Sequence, residues 1–198
     1  METVEANPKL KEMLAQVAAM HKHLCPRQVL GVRMGLYAAE LLGFETPQKD
    51  KRMLAFVESD GCFADGVAVA TGCTLGHRTM RLVDYGKVAV TVVDSKTGHA
   101  IRLAPEAGVR KRAAEVTPHA PNRWTGQLEG YQKIVSEELI SVEKVHLTLD
   151  VQAIVGKPGI RVNCAQCGEE ILNQREVIQD GQTLCISCAG ESYWRGAV

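Results

Sequence analysis

Long apolar runs are missing from this chain of 198 residues. Nothing in it approaches the ~20 consecutive apolar residues of a membrane-spanning helix, so no membrane span is expected. Excess charge is missing as well. The 23 basic and 23 acidic side chains cancel, so the chain as a whole has no pull towards a polyanion. No internal repeat and no low-complexity tract interrupts it. The opening "METVEANPKLKEM" is polar and carries acids; a signal peptide is not expected, and a cytoplasmic location is. Without an export signal, seven cysteines point away from disulfides and towards metal or thiol chemistry.

What is present reads as globular, with 45% hydrophobic and 23% charged residues. Asn7 and Pro8 suit a helix start, with Leu10, Met13, Leu14, Val17 and Ala18 on one apolar face. A second helix is expected from Pro26 to about Leu42, ending at Gly43, with Leu41 among its buried residues. "RMLAFVES" (52–59) reads as a buried strand, and "GCFADGVAVATGC" as a tight turn into a short helix. "KVAVTVVD" (87–94) and "HAIRLA" (99–104) read as strands joined around Lys96-Thr97-Gly98. Residues 105–116 are expected to be helical from Pro105 onwards, with "RKR" at 110–112 on a solvated face; 126–140 reads as a helix and 142–155 as an alternating strand. The texture changes to a linker near Gly156-Lys157-Pro158-Gly159. The expectation is an α+β fold, a mixed sheet flanked by helices over residues 1–156, followed by a small tail domain over 157–198.

The tail holds the pattern Cys-x2-Cys-x17-Cys-x2-Cys at Cys164, Cys167, Cys185 and Cys188. Two such pairs can supply four thiolates to one tetrahedral zinc, and Asp180-Gly181 marks a hairpin turn between them. A closed four-thiolate site leaves no open coordination position, so this zinc is expected to be structural. Residues 157–198 carry four basic side chains against five acidic ones, so phosphate binding is not expected and no nucleic-acid partner is implied. Tyr193 and Trp194 suit packing against a partner surface.

The second cluster is "HKHLC" ahead of Pro26. Proline disfavours the helical region for the residue before it, so an extended segment is expected here. Alternation would put His21, His23 and Cys25 on one side of that segment. Cys25 opens the second helix and Cys62 the third, positions where backbone amides favour a thiolate. The two cysteines are expected to converge. The four groups then line one pocket and bind a second transition metal, for which zinc fits the mixed imidazole and thiolate set, with nickel and iron compatible. Asp65, one turn beyond Cys62, faces the same pocket. On a continuous helix Cys73 would stand about 16 Å from Cys62, so it is pocket wall or core, and His77 approaches from the loop beyond it.

"HKHLCP" with "GVRMGLYAAELLG", "CFADGVAVATGCTLGH" and "GKVAVTVVDSKTGHAIRL" resemble, in this order, motifs of the FmdE family, which takes its name from formylmethanofuran dehydrogenase. The likeness covers roughly residues 10–155, and the tail resembles the zinc finger that some members carry. Arg27 stands where the family usually has glycine, and His77 where it often has lysine. The resemblance implies a thioredoxin-like mixed sheet, a metal site at the histidine-cysteine motif, a homodimer, and company with a molybdenum or tungsten oxidoreductase. His21, His23, Cys25, Cys62, Asp65 and Cys73 match the family's motif positions.

Two functions follow from the residues and the resemblance together. One is a metal-binding accessory protein or subunit of such an oxidoreductase. The other is a stand-alone metal-dependent or thiol enzyme acting on a small molecule in the core pocket, for which Glu58 and Asp60 are the remaining nearby carboxylates. A thiol-redox protein is disfavoured, because "CPRQ" has glutamine where a resolving cysteine would stand.

Overall fold

The computed structural model describes residues 7–156 and 159–196, and the chain divides into two compact units, 1–151 and 152–198. The first unit begins with α1 (Pro8–His21) and α2 (Pro26–Leu42), then β1 (Met53–Val57), α3 (Cys62–Thr71) and β2 (Met80–Leu82). It continues with β3 (Val90–Asp94), β4 (Ala100–Pro105), α4 (Val109–Val116), α5 (Arg123–Lys133), α6 (Ser136–Leu139) and β5 (Ile140–Val145). The five strands form one sheet in the order β2-β1-β3-β4-β5, with β1 and β2 parallel and the other neighbours antiparallel. It is therefore a mixed sheet, as the irregular alternation of helices and strands implied.

Several boundaries follow from local chemistry. Asn7 caps α1 by accepting the Leu10 amide at 3.2 Å, and Gly43 ends α2 at φ 70°, a conformation that a side chain would oppose. Residues 53–57 and 90–94 are buried throughout, which explains their unbroken apolar reading. Leu41 is exposed, contrary to expectation. Pro105 closes β4 instead of opening a helix. It pairs with Ile140 of β5, whereas the β3 pairing has already ended at Leu103, so its missing N–H is tolerated. The helix follows at Val109, after Gly108 at φ 77°. The expected strand 142–155 stops at Val145 because β4 offers no partner beyond Ala100; Val151–Val155 forms the short helix α7 instead.

The expected helix 126–140 is broken by a buried arginine. Arg33 of α2 donates to the carbonyls of Tyr131 and Ile134, each at 2.8 Å, and to Ser136 Oγ at 3.1 Å. It thereby satisfies backbone acceptors at the end of α5, and the chain restarts as α6. Burial pulls the Arg33 pKa down to about 10, against the opposing pull of Glu137. Arg33→Ala would strand these acceptors, at a cost of about 3 kcal/mol or more. A fall in melting temperature of roughly 6–12 °C for the first unit, followed by circular dichroism, is the expected result.

α2 and α3 pack through glycines. A Cβ added at Gly66 would lie 2.5 Å from the Gln28 carbonyl oxygen, and one at Gly31 would strike the Phe63 carbonyl. The two backbones touch, so the starts of both helices arrive side by side. That crossing positions the core site.

In the second unit β6 (Arg161–Asn163) pairs with β7 (Glu170–Leu172), and β8 (Val177–Gln179) pairs with β9 (Gln182–Leu184). Asp180 (φ 51°) and Gly181 (φ 75°) make the β8–β9 turn, both left-handed as a tight hairpin requires. Among the described residues the unit's buried apolar cluster is Cys164, Ile171 and Leu184, too little to hold such a unit without a staple. Among the described residues no helix is long and apolar enough to cross a membrane.

Candidate metal centres and the core cleft

The tail supplies the tightest set of donors. The sulfur atoms of Cys164, Cys167, Cys185 and Cys188 all lie within 4.8 Å of one another. Each pair sits on a turn, closed by the Gly168 amide donating to the Cys164 carbonyl and the Ala189 amide to the Cys185 carbonyl, each at 2.9 Å, and the Cys185 amide donates across to Cys164 Sγ at 3.3 Å. Gly168, at φ 76°, lets the chain double back after the second cysteine. Backbone amides of Cys167 and Cys185 hold the Cys164 thiol down to about 6, whereas the neighbouring thiols, Cys185 first, push Cys188 up to about 12. Four thiolates at this spacing require a cation to ionise together, which the donor set fits as a zinc site.

In the core, the segment ahead of Pro26 is not the extended run expected of it. α1 continues through His21, and Lys22 turns the chain in the left-handed region at φ 60°. Cys25, directly before the proline, is extended (φ −126°, ψ 159°). Alternation along a strand therefore does not align the three side chains. His21 Nε2 donates to Asp65 Oδ2 at 2.7 Å, joining the end of α1 to the first turn of α3. The exposed His23 turns back, its Nδ1–H donating to the His21 carbonyl at 2.9 Å, and the two rings stand 6.1 Å apart.

Cys25 and Cys62 do converge. Cys25 caps α2, its amide donating to Gln28 Oε1 at 2.7 Å, while buried Gln28 reaches the Val17 carbonyl of α1 at 3.3 Å. Cys62 opens α3 with its thiol against that of Cys25. Burial first, and Cys25 second, push the Cys62 thiol up, opposing the pull of the helix start. Among the described residues no set of three or more core donors is gathered as tightly as the tail cysteines.

Both thiols line a cleft of about 740 Å³ with Arg27, Arg110, Trp124 and Tyr131. His21 and His23, expected to line the same pocket as the two cysteines, lie outside that lining, as do Asp65, Cys73 and His77. Cys73, beyond the end of α3 at Thr71, is buried in the core with its thiol donating to the Met53 carbonyl at 3.4 Å; His77 is exposed. Glu58 is engaged by Arg102 through both oxygens, at 2.6 and 2.7 Å, so it is not a free base. The residues that sequence reasoning missed are Arg110, Trp124 and Tyr131. Arg110 belongs to the cleft, whereas Lys111 and Arg112 face solvent and pair with Glu115 and Glu138. No spacing pattern links residues 25, 62, 110 and 124; only the fold does.

Residues 20–148 match the family described as FmdE, molybdenum formylmethanofuran dehydrogenase operon. This chain belongs to that family. Residues 158–193 match the prokaryotic dksA/traR C4-type zinc finger, which contains all four tail cysteines. A probable S-adenosyl-L-methionine-binding protein from Archaeoglobus fulgidus is 36% identical over 213 residues, an alignment covering 96% of this chain and 56% of that protein. The chain thus spans about half the length of this curated relative. The crystal structure of an FmdE-like protein of the tungsten formylmethanofuran dehydrogenase type, from Syntrophus aciditrophicus, superposes with a TM-score of 0.59 at 22% identity, covering 94% of this chain and 95% of the other. At that identity the likeness is one of fold.

Proposed function

We propose that this FmdE-family protein is a metal-binding accessory protein or subunit for a molybdenum- or tungsten-dependent oxidoreductase of the formylmethanofuran dehydrogenase type. Its core binds one transition metal, zinc by preference, through Cys25, Cys62, His21 and His23. The carrying observation is the meeting of the Cys25 and Cys62 thiols at the wall of the cleft. The histidines support it. Each has one ring nitrogen engaged, His21 by the Asp65 carboxylate and His23 by a backbone carbonyl. Ligating histidines are commonly held this way, with the other nitrogen left for the metal. Bound there, the metal would supply Lewis acidity beside the cleft. The chain's own part is to fix the thiols on two helix starts and to orient the imidazoles. The family membership supports the oxidoreductase partner. The mixed sheet is compatible with a thioredoxin-like scaffold, and exposed Tyr193 and Trp194 with a homodimer.

Cys25→Ala tests this. The native protein should carry two metal equivalents per chain by elemental analysis, and the variant one, retained by the tail. Light scattering on the same native sample should return the mass of a dimer. One equivalent in both proteins would remove the core metal.

The cleft favours a second reading, in which the protein acts on a small molecule there by itself. Its volume is ordinary for a ligand site, and the relative named as a probable S-adenosyl-L-methionine-binding protein supports a small-molecule ligand.

A further inference from the structure

The metal reading uses the two thiols and leaves the rest of the cleft's lining without a task. That lining includes the start of α4 and α5, with Arg110, Trp124 and Tyr131. Arg27, directly after Pro26 on α2, contributes a second guanidinium. A further hollow of about 280 Å³ shares Arg110 and Gln127 with the cleft and adds Arg123. The two hollows are therefore lined by three arginines against one carboxylate, Glu106. Among the described residues none of the three arginines makes an ion pair. A protein of zero net charge has gathered unneutralised cations around two hollows that share Arg110.

The chemistry of these groups is specific. A guanidinium presents a planar fork of N–H donors that matches carboxylate and phosphate oxygens two at a time. Trp124, half-exposed in the first turn of α5, offers an indole face at the opening. Tyr131, also in the lining, is buried. Low-dielectric walls focus the field of the arginines into the cleft.

We infer that the cleft binds a small organic anion. The ligand carries a flat ring that stacks on Trp124 and at least two negative charges on oxyanion groups held by Arg27 and Arg110, with Arg123 of the adjoining hollow adding to the positive field. This deepens the proposed function by giving the ligand class of the same site, and it rests on that reading only for the role of the thiols. It also separates two kinds of ligand. S-adenosylmethionine has the flat ring but a net positive charge, which the arginines oppose.

Isothermal titration of the full-length protein at low salt tests the inference, with ADP, adenosine, pyrophosphate and S-adenosylmethionine as probes. ADP should bind about tenfold or more tighter than adenosine and than S-adenosylmethionine. Arg27→Gln combined with Arg110→Gln should weaken ADP about tenfold or more and leave adenosine unchanged. Trp124→Ala should weaken ADP and spare pyrophosphate. Tighter binding of S-adenosylmethionine than of ADP, no ADP binding at millimolar concentration, or ADP binding indifferent to the arginines would overturn it. The core metal is judged separately. ADP affinity retained in Cys25→Ala supports the anion site whether or not that variant loses metal, and metal content retained in the double arginine variant shows that only the anion site was altered.

Discussion

Replacing Cys185 with serine should unfold the C-terminal unit and release its zinc while the first unit stays folded. The reason is the size of the tail's own core. Cys164, Ile171 and Leu184 are its buried apolar cluster, and the four strands are three residues each. A unit so small cannot offset the entropy of ordering its chain by burial alone. Zinc at four thiolates supplies an apparent binding free energy of about 10–16 kcal/mol in comparable peptides, and that energy is folding energy. Removing one thiolate leaves an incomplete tetrahedron. Circular dichroism should then lose only the tail's contribution, amide exchange over residues 160–190 should become fast, and one metal equivalent should disappear. Collapse of the whole spectrum would show that the two units do not fold separately.

Gly66→Val should strongly destabilise the first unit. An added Cβ would already sit 2.5 Å from the Gln28 carbonyl oxygen and 3.0 Å from Gly31 Cα, so α2 and α3 must move apart. Overpacking against flexible side chains costs about 1–3 kcal/mol. Here the obstacle is backbone, and the branched side chain adds to it, so about 3 kcal/mol or more is expected, a fall of roughly 6–12 °C. The chemical effect is larger still. The same crossing brings Cys25 and Cys62 together, so under the proposed core site the variant should lose that metal even at temperatures where it remains folded. Gly76→Ala is the control, because a Cβ there meets nothing within 4 Å. Equal melting temperatures for the two variants would contradict the tight crossing.

The parts of this protein that can be read from its sequence are those set by neighbours in the chain. The cap at Asn7, the stop at Gly43 and the turn at Asp180-Gly181 each depend on a residue type acting within a few positions. The tail cysteines belong here too, because two short turns and one hairpin suffice to assemble them. What escaped was set across the fold. Strand β2 is three residues long and exists because β1 has an edge to offer. The break between α5 and α6 depends on Arg33, about a hundred positions away in the chain. The core site mixes both kinds. Cys25 and Cys62 were recognisable as helix starts, but it is the continuation of α1 through His21 that brings this ring to Asp65, and Arg110 became a cleft residue only because α4 packs on α5, which packs on α2.

The proposed core site, one metal held by His21, His23, Cys25 and Cys62, is isolated in the Cys185→Ser protein, because the tail site is then gone. X-ray absorption at the metal edge of that protein, purified with its metal retained, reads the first coordination shell directly. The expected spectrum is a mixed shell, sulfur at about 2.3 Å and imidazole nitrogen at about 2.0–2.1 Å, with the sulfur contribution reduced in the further variant Cys62→Ala. A protein without metal, or a shell unchanged by removing Cys62, would contradict it.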